Sequence, residues 1–234
     1  MRGRGRICSI YRQKRRPKRN LPLGSRRRAK SVVNGAAMDI LLAASEFAPW
    51  VQRTGVSEVV ASFSKTLKQI GHTTTVVVPF HSAYDQAGLL LARRLSKLKV
   101  AEGRELSVYD TQLTSGVQLV LLDLGAEDTS VSEQMVVFAQ AVAALINDRS
   151  NLGAHTDIVH VQDSLGSLVS LALEQIDGPR PPTVVMLQDG IETLTNAQSQ
   201  SVQLASLEDA ERAVQAGDVD LGALLVHTAK AVIT

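Results

Sequence analysis

Side chains able to do chemistry are sparse in this chain, and no reactive constellation joins them. Its five histidines and single cysteine, Cys8, form no metal-ligand spacing, no Ser/His/Asp order and no nucleotide fingerprint. Gly55 precedes a helix-like segment, where backbone N–H groups and a positive dipole end could face a phosphate. One glycine is no Walker or dinucleotide motif, and an ordinary strand-to-helix turn is the favoured account on chemistry alone. His160 sits inside the apolar run DIVHV, which favours a satisfied core histidine over a catalytic base. His72 follows Gly71 in a turn and is expected in solvent. His81 and Tyr84 come just after a strand-like run, where ligand contact is open to them. Asp163 closes another such run and suits a helix cap, while Asp189 and Glu192 follow a third, with acid–base capacity that surface loops also carry. No residue is assigned a catalytic role, no metal site is expected, and no cofactor is expected.

These residues gain meaning from the elements that would hold them. Residues 39–44 (DILLAA) form a short apolar run suited to a strand buried on both faces. Residues 58–70 place Val59, Phe63, Leu67 and Ile70 on one helical stripe, with Ser57 as N-cap and Gly71 as the stop. Strands are expected at 74–78, 118–124, 157–161, 182–187 and 231–234. Helices are expected at 132–147, through Val136, Ala139, Val142 and Ile146, and at 164–176, 207–216 and 221–229. Such alternation predicts an α/β fold with a doubly wound parallel sheet. In that architecture ligands bind beyond the carboxyl ends of the strands, which selects the loops at 45–57, 79–84, 162–166 and 188–193.

The net charge of +2 hides two unlike segments. Residues 1–37 carry 13 of the 25 basic residues and no acid, so the remainder sets 12 basic residues against all 23 acids. The leader has no hydrophobic periodicity, and its like charges favour disorder. Three readings remain open: an organelle transit peptide, a segment binding nucleic acid through RQKRRPKR, or, the favoured one, an upstream extension with Met38 as the natural start. No apolar run approaches the roughly 20 residues needed to span a bilayer, so no membrane association is expected.

From Met38 the chain resembles the opening of bacterial glycogen and starch synthases, GT-B glycosyltransferases that extend α-1,4-glucans from a nucleotide-glucose. MDILLAASEFAPWVQRTGVSEVVASFSKTLKQIGHTTTVVVPFHSAY carries the likeness, with Ser45, Glu46, Ala48, Pro49, Gly55, Val59, Val60, Lys65, Leu67, Gly71, His72, Val76, Val77 and Pro79 in register. DIVHVQDSLGSLVSLAL resembles the family's strand, His-Asp-Trp-His motif and helix, with His160 and Asp163 retained. PTVVMLQDG is similar to a strand ending in Thr-Ile-His-Asn, and HTAKAVIT to a later helix and strand. The resemblance implies one Rossmann-like half of a GT-B fold over residues 38–234, without the second domain.

The same resemblance names a donor- or glucan-binding set: Glu46, Gln52, Arg53, Gly55, Asp163, Gln188 and Asp189. Gln52 stands where the family places a phosphate-contacting lysine, with Arg53 beside it, and Thr54 replaces the first loop glycine. Gln162, Ser164 and Leu165 replace His, Trp and His of the second motif, and Gln188-Asp189 replaces His-Asn. The implied activity is glucosyl transfer from a nucleotide-glucose, ADP-glucose first, to an α-glucan, and the chain alone is expected to be inactive. The alternative is a non-catalytic module that binds α-glucan or protein. Expected partners are an α-glucan or a chain supplying the C-terminal GT-B domain, with nucleic acid only through the leader. The expected location is the cytoplasm, or a plastid for a transit-peptide leader.

Overall fold

The protein is described from a computed structural model covering residues 36–125, 131–162, 165–187 and 231–233. Its centre is a parallel ladder. β1 (Asp39–Ala43) lies between β2 (Thr73–Pro79) and β7 (Ile158–Gln162). β6 (Gln118–Asp123) extends the sheet beyond β2, and β8 (Thr183–Met186) and β9 (Ala231–Ile233) extend it beyond β7, all parallel. The chain therefore leaves β1 towards β2 and β6, then crosses back to β7 on the other side. That reversal puts a topological switch point between the carboxyl ends of β1 and β7.

The sheet continues past β6 in a way the alternation did not predict. β5 (Glu105–Gln112) pairs antiparallel with β6, and the two-residue strands β3 (Ala92–Arg93) and β4 (Leu98–Lys99) pair with β5. The architecture is a parallel-dominant doubly wound sheet with an antiparallel margin. Arg94 fixes that margin by a bidentate pair with Asp110 at 2.6 and 2.9 Å, a geometry that matches guanidinium to carboxylate. Hydrogen bonding to Asp110 raises the Arg94 pKa further above its ordinary value.

Both faces of the sheet are covered, so β1 reads as a continuous apolar run rather than an alternation. Leu41 and Ala43 face α3 (Val131–Asn151) and α4 (Leu165–Gln175). Ile40, Leu42 and Ala44 face α1 (Val56–Ile70), α2 (Ser82–Gln86) and the loop that follows β1. Among the described residues no helix is long and apolar enough to cross a membrane. The helices expected at 207–216 and 221–229 lie outside the described residues.

Two features of α1 differ from the sequence expectation. It starts at Val56, with Gly55 at the cap position and Ser57 buried inside the first turn. Its buried face runs through Val56, Ser57, Val60, Ser64 and Leu67, while Ile70 is 44% exposed. The small serines let the helix axis come close to the sheet, and the expected stripe of Val59 and Phe63 is turned to the flank of the contact. Gly71 does end the helix, with φ of 109°. Its N–H bonds Lys68 O at 3.2 Å, and the His72 N–H bonds Leu67 O at 3.1 Å, which satisfies carbonyls the helix would otherwise leave unpaired.

Candidate functional site

The loop after β1 reaches the switch point, and Glu46 determines its shape. The Glu46 side chain is 2% exposed. Its carboxylate accepts the Arg53 N–H at 2.6 Å, the Thr54 N–H at 3.0 Å, and the Thr54 hydroxyl. The Thr54 oxygen in turn accepts the Val56 N–H at 3.2 Å, and the Ser57 hydroxyl donates to the Thr54 carbonyl at 3.1 Å. A buried carboxylate is tolerable only with such bonds, because an unpaired one would be strongly penalised. The loop is thereby folded back onto an anion that belongs to the protein.

Backbone N–H groups at 53 and 54 therefore do not stand open to a phosphate, as the sequence allowed; the Glu46 carboxylate occupies them. Gly55 adopts φ −68° and ψ −15°, ordinary right-handed helical values, so the position makes no conformational demand for glycine. Gln52 is exposed, with its amide 3.5 Å from the Glu58 carboxylate in the first turn of α1. Arg53 is exposed, and among the described residues its guanidinium has no ion-pair partner. It is the cationic side chain on this loop, three residues before the first residue of α1, where the helix dipole is positive.

On the neighbouring strand His160 lies opposite Leu42 on the α1 side of the sheet, 4% exposed, with its ring 4.9 Å from that of Phe63. Burial lowers its pKa to about 4, so the ring is neutral near pH 7. The expectation of a core histidine holds in position but not in satisfaction. Its Nδ1 is 3.4 Å from the Gln162 amide nitrogen, while its Nε2 and the Gln162 Oε1 have no partner among the described residues. Other expectations are corrected outright. Tyr84 is fully buried instead of reaching a ligand, and burial together with the Glu46 charge raises its phenol pKa. His81 caps α2 by accepting the Ala83 N–H at 3.1 Å. His72 accepts the Met38 N–H at 3.2 Å instead of being simply solvated.

Thus the structure brings Glu46, Gln52, Arg53 and Gly55 together at one loop. Asp163, Gln188 and Asp189 lie outside the described residues, as do Ser164 and Glu192. The role of Thr54 was missed: as a hydroxyl two residues before Val56 it had the chemistry of a cap, one position earlier than the helix start suggested.

This loop, at the switch point of a parallel-dominant sheet, falls within the part of the chain that resembles known proteins. A family model described as the starch synthase catalytic domain matches residues 39–210. The chain belongs to that family. It is a glycogen/starch synthase-like domain with the Rossmann-like half of the GT-B fold. A glycogen synthase of Roseobacter denitrificans is 28% identical over 165 residues, which cover 65% of this chain and 34% of the relative. Granule-bound starch synthase 2 of Pisum sativum is 27% identical over 115 residues, covering 44% of this chain and 15% of the relative. The catalytic domain of starch synthase IV from Arabidopsis thaliana, bound to ADP and acarbose, shares the fold with a TM-score of 0.55 at 17% identity, over 65% of this chain and 34% of that one. The chain thus spans about a third of the length of the Roseobacter glycogen synthase.

Proposed function

We propose that this domain serves glucosyl transfer from a nucleotide-glucose, ADP-glucose by resemblance, to an α-1,4-glucan, and that the chain by itself is inactive. The observation that carries this reading is the Glu46-anchored loop, which holds Arg53 at the head of α1 beside the switch point. Glucosyl transfer leaves charge on a departing nucleoside diphosphate, and a fixed cation near its phosphates lowers that cost. Arg53 is the residue proposed for this contact. Gln52, neutral where the family has lysine, contributes no charge, and the amides at 53 and 54 are engaged by Glu46. Donor binding is weakened on both counts. Asp163, Gln188 and Asp189 are proposed to complete the site by motif position.

The chain spans 34% of the length of the Roseobacter glycogen synthase, and the facing wall of the cleft is proposed to be a C-terminal GT-B domain. Water exclusion and full donor binding depend on that wall. The cytoplasm is the proposed location, with a plastid following from a transit-peptide reading of residues 1–37. Calorimetric titration with ADP tests the site: Arg53→Ala is expected to bind about tenfold or more weakly, from loss of one charge-assisted contact of roughly 1.5–3 kcal/mol. Equal affinity of Arg53→Ala and the parent chain would remove Arg53 from the site.

A further inference from the structure

A concavity on the α1 side is lined by neither Gln52 nor Arg53. It measures about 500 Å³, within the roughly 300–1,000 Å³ of small-ligand sites. One wall is the 47–50 segment, a second is the flank of α1 at Ala61, buried Ser64 and exposed Lys65, and a third is the turn joining β5 to β6. Trp50, the chain's single tryptophan, lines it half-buried. Its ring stacks on Phe47 at 5.9 Å and 17°, and Tyr84 packs 6.1 Å away at 51°. Phe47 and Tyr84 are both buried, so the indole is held in place by packing. Its N–H has no hydrogen-bond partner among the described residues.

The facing wall carries no charge. Beside an apolar flank of Leu89 and Leu90, Thr111, Gln112, Thr114 and Ser115 line it around Leu113, with Gln112 and Thr114 exposed. The turn that carries them is fixed: the Leu113 N–H bonds Val117 O at 2.9 Å, and the Gly116 N–H bonds Leu113 O at 2.8 Å. Gly116 has φ of 82°, and a Cβ there would come within 3.2 Å of the Lys68 side chain, so the turn lies close against α1. An anchored aromatic face opposite a row of hydroxyl and amide groups suits a ligand with flat apolar faces and a hydroxyl rim. A pyranose has that shape. A nucleotide base would stack too, but its phosphates need cations, and Lys65 is the one cationic side chain among the described residues lining the groove. Strand addition by a peptide has little free edge on β5, which pairs with β6 at 107–112 and with β4 and β3 at 105–106 and 109–110, leaving 111–112 unpaired at that end.

We propose that the groove between Trp50 and the β5–β6 turn binds a segment of α-1,4-glucan, separate from the Arg53 loop; the choice of glucan rests on the function proposed above. Trp50 stacks on a glucosyl ring, and Gln112 and Thr114 bond its hydroxyls. Because Trp50 is the only tryptophan, its emission reports the site directly. Titration of the full chain with maltohexaose is expected to give a saturable change in that emission, absent with cellohexaose. Gln112→Ala/Thr114→Ala, both on an exposed turn, is expected to weaken binding about tenfold through loss of two hydrogen bonds. Trp50→Tyr is expected to keep co-sedimentation with glycogen while Trp50→Ala loses it. A chain that pellets with glycogen yet shows no emission change, and whose double variant pellets equally, overturns the groove and leaves the functional reading intact. A chain that neither pellets nor responds overturns both. A response to ADP in place of maltohexaose would make this a nucleotide site and overturn the proposal.

Discussion

At the scale of single residues, Glu46 and His160 show how a family motif and its chemistry can part. The sequence put Glu46 in a ligand set by register, whereas its carboxylate is spent on the Arg53 and Thr54 N–H groups and the Thr54 hydroxyl. No pattern of residue types reveals such a bond, because it depends on how the loop between β1 and α1 folds back to bring Thr54 onto Glu46, eight residues earlier. Glu46→Ala is expected to cost on the order of 3 kcal/mol, since it leaves buried loop donors without their charged acceptor. Urea unfolding measures the cost, and faster amide exchange at Arg53 and Thr54 locates it. His160 gives a pH signature. Unfolded, its ring protonates near 6.5; folded, only near 4. The unfolded chain therefore binds more protons below about pH 6.5, and stability falls as pH drops, with the loss complete below about 4. Between pH 7 and pH 5 the loss is roughly 2 kcal/mol for this one group. His160→Leu is expected to flatten that part of the urea-unfolding pH profile.

At the scale of elements, α1 was legible in existence and stop but not in rotation. The apolar residues Val59, Phe63, Leu67 and Ile70 do share a stripe, yet the sheet meets the helix about one residue round, at Val56, Val60, Ser64 and Leu67. Hydrophobicity favours large side chains in a stripe, whereas close approach to a flat sheet favours small ones, and here the second requirement places two serines in the contact. Ser64→Leu is accordingly expected to destabilise by about 1–3 kcal/mol through overpacking. Ile70→Ser, on the exposed side, should stay within about 0.5 kcal/mol. Thermal unfolding of the two variants separates the faces, and a reversed order would contradict the assigned rotation. Gly71→Ala is expected to lose about 1 kcal/mol from its positive φ alone, since nothing lies within 4 Å of the added carbon.

At the scale of the whole molecule, the parallel centre was readable because each buried strand is a short apolar run between helical segments. The antiparallel margin was not. β3 and β4 are two residues long, and β5 keeps its alternation only at Leu106 and Val108 before the polar residues Asp110 and Gln112 that complete its pairing with β6. That unread margin supplies the wall opposite Trp50, so the groove was invisible to a reading confined to the alternating elements. The basic leader is proposed to be separate from glucan recognition, and a chain starting at Met38 is expected to pellet with glycogen as the full chain does. The domain proposed here holds α-glucan yet does not by itself transfer glucose. Incubation of the purified chain with glycogen and radiolabelled ADP-glucose, followed by sedimentation, tests it most directly. The chain is predicted in the pellet with no label incorporated into the glucan. Incorporated label, or a chain left wholly in the supernatant, would contradict it.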